Sequence, residues 1–196
     1  FPLLFITACT STSVTSSWKK SDYAGQPFKS ILVVALIDDP VKKMFWENTV
    51  ADQLRASGVK SVATSIGAFP MDRGLQVQDI IGYTQKQQVD GVLVTRLIDI
   101  QTEQGPVKNQ EFMFTDTYVH YRNFRDFYPQ AYKSAYDRDD PATLTTVLLE
   151  TNLYSSETLE LVWSASSDTF EPRSINKLAA SVSRTLIDAL KKDGLL

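Results

Sequence analysis

Cysteine and histidine occur once each in the 196 residues, as Cys9 and His120. A single thiol closes no internal disulfide, and one Cys with one His is too few for the usual Cys/His zinc sites. Neither sign of charge dominates: 20 Lys and Arg stand against 23 Asp and Glu, a net −3. Without a basic excess, a nucleic acid has no main source of affinity for this chain, and that partner class is excluded. The apolar stretch that opens the chain falls far short of the roughly 20 residues a spanning helix needs. Signatures of catalysis are scarce too. No Gly-x-Ser-x-Gly elbow occurs, and the turn Ile37-Asp38-Asp39-Pro40 offers no glycine to bring backbone donors onto a phosphate. What is present, 43% hydrophobic and 22% charged residues, is the composition of one globular domain large enough to bury a core.

The charges are unevenly spread, with none in residues 1–17. The opening Phe1-Pro2-Leu3-Leu4-Phe5-Ile6-Thr7-Ala8 reads as the remnant of a signal peptide, an apolar stretch running into small residues. Ile6-Thr7-Ala8-Cys9 resembles the bacterial lipobox at all four positions. That resemblance implies acylation (palmitate) of Cys9, which becomes the first residue of the mature protein. Thr10 in place of Asp after the Cys implies the inner leaflet of the outer membrane, facing the periplasm. The alternative is a small buried thiol in a hydrophobic N-terminal strand. The Ser/Thr-rich residues 10–17 that follow have little to bury and read as a flexible tether. Eight such residues at about 3.3 Å each reach at most ~26 Å. Trp18, Tyr23 and Phe28 then dock this segment on the domain, with Gly25-Gln26-Pro27 as the bend.

From residue 30 onward the hydrophobic pattern alternates between strand and helix periods. Ile31–Ile37 is a continuous apolar run of the kind buried on both faces. Asp39 and Pro40 are N-cap and first residue of a helix whose stripe is Val41, Met44, Phe45, Ala51 and Leu54, ending at Gly58. Val59–Ile66 is a second strand. Val77, Ile80, Ile81 and Thr84 mark a second helix that ends near Gln88, and Val92–Ile100 is a third strand. Leu144–Tyr154 and Leu159–Ser167 form a hairpin around Ser155–Thr158. Pro172 opens a last helix with Ile175, Leu178, Ala179, Val182, Leu186, Ala189 and Leu190 on one face. The expected fold is a single α/β (α+β mixed-sheet) domain over 30–196. Its order is β-α-β-α-β-(insertion)-β-β-α, with a parallel start, an antiparallel C-terminal hairpin and an aromatic insertion at 103–142. Residues 1–8 are signal remnant, and 9–29 are lipidated Cys, tether and docking segment.

Few residues point to chemistry. Asp38 and Asp39 sit where open α/β sheets place ligands, but a helix cap accounts for Asp39 without a metal. His120, in Tyr118-Val119-His120-Tyr121, has no Ser or Cys partner readable in the sequence. The reading is accordingly a non-enzyme with no metal and no cofactor. The segment that stands out is 112–136, which holds nine of the chain's 21 aromatics. Tyr and Arg are enriched in binding hot spots, since each brings large contact area with a polar end. Tyr118, Tyr121, Arg122, Phe124, Arg125, Phe127, Tyr128, Tyr132 and Tyr136 are therefore the candidate partner-binding residues. The other account is a segment folded back so that its rings complete the core.

Several motifs in order resemble a group of uncharacterised bacterial lipoproteins: Cys9, the lead-in Trp18…Tyr23-Ala24-Gly25-Gln26-Pro27-Phe28-Lys29, the strand Ile31–Ile37, Leu149-Glu150-Thr151-Asn152-Leu153-Tyr154 and Leu161-Val162-Trp163-Ser164. The element order is also similar to the domain shared by the curli-secretion lipoprotein, the penicillin-binding-protein activator lipoprotein and the N-terminal domain of the Tol-Pal translocation protein. That resemblance implies an anchored periplasmic module that contacts an envelope protein, with homo-oligomers within reach of the fold. A small-molecule or polysaccharide carrier, with ligand at the carboxyl ends of Ile31–Ile37 and Val92–Ile100, is the alternative.

Overall fold

The computed structural model describes residues 12–66, 69, 75–101, 124–125, 146–170, 172 and 174–196. Residues 1–8, Cys9, His120 and the segment 103–142 apart from Phe124 and Arg125 lie outside the described residues. The elements are β1 (Thr12–Lys19), β2 (Ser30–Leu36), α1 (Pro40–Ala56), β3 (Lys60–Ala63), α2 (Val77–Gln87), β4 (Gly91–Gln101), β5 (Thr146–Ser155), β6 (Leu161–Phe170) and α3 (Ile175–Lys192). The chain is a single mixed α/β domain. Among the described residues, six strands form one sheet in the order β1-β6-β5-β4-β2-β3. β3, β2 and β4 run parallel, whereas β4-β5, β5-β6 and β6-β1 are antiparallel.

The apolar strands explain the layering. β2 is buried almost from end to end, because alternate side chains feed two cores. Ile31, Val33 and Ala35 pack with Leu93, Leu153, Trp163 and the inner faces of α1 and α3. Leu32, Val34 and Leu36 pack with Val92, Val94 and Tyr154 on the face that receives Ile80 of α2. Glycine is required where β4 begins: a Cβ on Gly91 would lie 2.6 Å from the Phe28 ring, which is buried against it. The ring of Tyr23 stacks near Phe28, with centroids 5.8 Å apart.

Three expectations are corrected. The Ser/Thr tether is not free: residues 12–17 belong to β1, an edge strand paired with β6. Its hydroxyls find partners in the sheet and on α3, so the polar composition does not mean solvation. Thr12 Oγ1 bonds Thr169 Oγ1 and donates to Ser181 Oγ, each at 2.8 Å, and Ser13 donates to Asp168. Only Thr10 and Ser11 separate Cys9 from the strand, and the ~26 Å reach disappears.

The stripe of α1 is also turned. Trp46, Glu47, Val50, Ala51 and Leu54 face inward, whereas Val41, Met44 and Phe45 are exposed. Glu47 fixes this rotation through bonds to the sheet, and Phe45, two residues and about 200° away, points to the other side. Finally, the last helix starts at Ile175 and not at Pro172. Ser174 is its cap, its hydroxyl accepting from the amide of Lys177 at 3.3 Å.

Candidate functional site

At the carboxyl ends of β2 and β3 the polar groups serve the helix that follows. Asp39 is extended at φ −73° and ψ 114°, the conformation an N-cap needs. Its Oδ1 accepts from the amides of Val41 at 2.9 Å and Lys42 at 3.0 Å. The Lys42 amide bond, with smaller help from Val41 and the Lys42 charge, holds its carboxyl below the ordinary range against opposing desolvation. Asp38 is exposed, and its Oδ1 accepts from the Asp39 amide at 2.7 Å. Both carboxylates thus organise the β2-α1 turn. Among the described residues no group of three or more His, Cys, Asp or Glu is placed to hold a metal.

The residue that sequence reasoning missed is Glu47. Its side chain is fully buried. Oε1 accepts from the Ala35 amide at 2.9 Å and the Thr64 hydroxyl at 2.6 Å, and Oε2 from the Ser65 amide at 2.7 Å. The ammonium of Lys43 stands 3.9 Å away. A carboxylate with this many donors can be kept out of water. One side chain thereby ties α1 to the ends of β2 and β3. A single Glu next to Trp46 in α1 was the only sequence signal for it.

A second buried charge pair spans β4 and β5. Arg96 and Glu150 are register partners, and the Arg96 Nε donates to Glu150 Oε2. Asn152, two residues along β5, is fully buried, and neither its oxygen nor its nitrogen has a hydrogen-bond partner.

Of the candidate contact residues, Phe124 and Arg125 are described. Phe124 is 1% exposed and packs its ring edge-on to Tyr154, with centroids 5.3 Å apart at 67°. Its amide donates to the Leu159 carbonyl at 2.8 Å. Phe124 is therefore a core residue; its place in the contact surface is withdrawn, because an interior ring presents no area to a partner. Arg125 next to it is exposed. Tyr118, Tyr121, Arg122, Phe127, Tyr128, Tyr132 and Tyr136 lie outside the described residues.

No family model matches the chain, and no curated protein matches it. Among solved structures, the PelC dodecamer from Paraburkholderia phytofirmans aligns with 16% identity over 90% of this chain and 94% of that one, at a TM-score of 0.46. Lipoprotein GNA1162 from Neisseria meningitidis aligns with 16% identity over 83% of this chain and 98% of that one, at a TM-score of 0.43. Similarity at this level carries neither a function nor an assembly over to this chain.

Proposed function

We propose that the chain is a non-enzymatic lipoprotein of the bacterial cell envelope, anchored through acylated Cys9 on the periplasmic side of the outer membrane, that binds an envelope protein. The observation that carries this reading is Ile6-Thr7-Ala8-Cys9, a four-residue lipobox likeness placed just ahead of the first strand of the sheet. The partner surface is the Tyr- and Arg-rich segment 118–136 with Phe124 removed from it. Phe124 instead packs on Tyr154 and its amide bonds the Leu159 carbonyl, with Arg125 beside it on the surface. The alternative, a small-molecule or polysaccharide carrier with ligand at the carboxyl ends of β2 and β4, would draw on the exposed Asp38, since Asp39 is engaged at the start of α1.

A photo-crosslinking residue placed at Arg125, with Lys192 at the far end of α3 as control, tests the partner surface in native envelopes. A discrete protein adduct at 125 that is missing at 192 is expected. Equal or absent labelling at both positions would overturn the assignment of the surface.

A further inference from the structure

The strand directions divide the molecule into two unlike ends. β2, β3, β4 and β6 finish at one end, where β1 and β5 begin and where α1, α2 and α3 have their N-termini. At the opposite end lie the turns around Asp22, Gly58, Gln88, Glu157 and Gly194, which are polar. Among the described residues the exposed large hydrophobic side chains are Val41, Met44, Phe45, Ile66 and Phe170, between 39% and 67% exposed. All five belong to the first end. Val41, Met44 and Phe45 are on the opening turns of α1, Ile66 is three residues past β3, and Phe170 closes β6 opposite Thr146. Val41 and Phe45 are one helical turn apart on α1, and Ile66 and Phe170 stand beyond or at the ends of their strands, so the exposed apolar side chains mark this end of the sheet and not the other.

The chain length decides what that surface meets. Thr12, the first residue of β1, is at the same end, paired with Thr169. Three residue steps separate it from Cys9, and at about 3.3–3.6 Å each they extend no more than roughly 11 Å. An acyl chain on Cys9 therefore brings the apolar end of the sheet, and not the polar one, against the lipid surface. One acyl chain by itself gives only marginal attachment, and a second contact makes it stable. Lys42, exposed beside Val41, adds a positive charge at this end next to the exposed Asp38, while Lys43 is paired with Glu47 and the charge of Asp39 is turned to the α1 amides.

We infer that this end of the domain is a membrane-docking face. Val41, Phe45, Ile66 and Phe170 enter the headgroup region of the leaflet that holds the Cys9 anchor, fixing the orientation of the domain on it. The inference rests on the anchor reading above, and the two are tested separately.

Because Cys9 is the only cysteine of this sequence, the chain can be coupled through it to vesicles of phosphatidylethanolamine and phosphatidylglycerol that contain a maleimide-headgroup lipid. Phe45→Trp, Phe170→Trp and, as control, Lys192→Trp are compared with the unsubstituted chain in vesicles whose acyl chains are brominated near the headgroups. Added tryptophan emission at 45 and 170 is expected to be quenched at least twofold more than at 192. Quenching at 45 and 170 no stronger than at 192 overturns the docking face, as does self-association of the coupled chain that shields these positions in unbrominated vesicles. Acylation of Cys9 is read independently, from the mass of the protein isolated from its own membranes. A free Cys9 there removes the anchor, while the vesicle result still decides the face.

Discussion

Phe124 stands 5.3 Å from Tyr154, ring centroid to ring centroid, in an edge-on pair that closes the core on the α2 side of the sheet. Phe124→Ala is expected to cost roughly 3–5 kcal/mol, the range for emptying a buried aromatic site. Arg125→Ala next to it is expected to stay within about 0.5 kcal/mol, as exposed substitutions do. Urea unfolding of the two variants checks this; equal, small effects would show that Phe124 is not structural.

Glu47 supplies the acceptor for three donors at the ends of β2 and β3. Glu47→Leu keeps the volume but leaves the Ala35 and Ser65 amides and the Thr64 hydroxyl unpaired, at about 1–3 kcal/mol for each buried group. Expected is a loss of roughly 3 kcal/mol or more, with faster amide exchange at Ala35 than at other β2 positions, and at Ser65, just past β3. A variant with unchanged exchange at both amides would contradict the tie between α1 and the sheet.

Arg96 and Glu150 form a buried pair, so the single and double changes should differ in kind. Removing one partner leaves an uncompensated buried charge and costs about 3–5 kcal/mol, whereas replacing both by apolar residues is commonly near neutral. Arg96→Met, Glu150→Leu and the double variant are therefore expected to show strong positive coupling in a denaturation cycle. Additive effects would mean that the two charges act independently.

These tests follow the boundary between what the pattern of residues disclosed and what it did not. The run Ile31–Ile37, the cap Asp39-Pro40 and the periodic stripe through Leu178, Val182, Leu186 and Leu190 placed β2, α1 and α3, because continuous burial and 3.6-residue spacing are local signals. Thr12–Ser17 misled for a physical reason. A solvated tether and a hydroxyl-rich edge strand have the same composition, and only the partners Thr169, Asp168 and Ser181, over 150 positions away, separate them. The rotation of α1 was hidden likewise, since Glu47 is read as a surface charge until the amides of Ala35 and Ser65 come to meet it. Phe124 was indistinguishable by type from its aromatic neighbours, and its burial depends on Tyr154, thirty residues on.

Acid stability offers a local test of the α1 cap. Folding holds the Asp39 carboxyl below its ordinary value of 3.8. Its contribution is thus complete above that value and is lost as pH falls through the lower folded-state value. The unsubstituted chain is expected to lose stability over that acidic window more steeply than Asp39→Asn, measured by thermal unfolding between neutral pH and pH 2. Parallel curves would remove Asp39 from the pH response.

The anchor is the claim on which the function depends, and intact-mass and peptide mass measurement of the protein extracted from its own membranes tests it most directly. The account predicts a mature chain that begins at Cys9 and carries acyl groups on that residue, with Cys9→Ser leaving the membrane fraction. A chain that retains residues 1–8, or a Cys9 with an unmodified thiol, would contradict it.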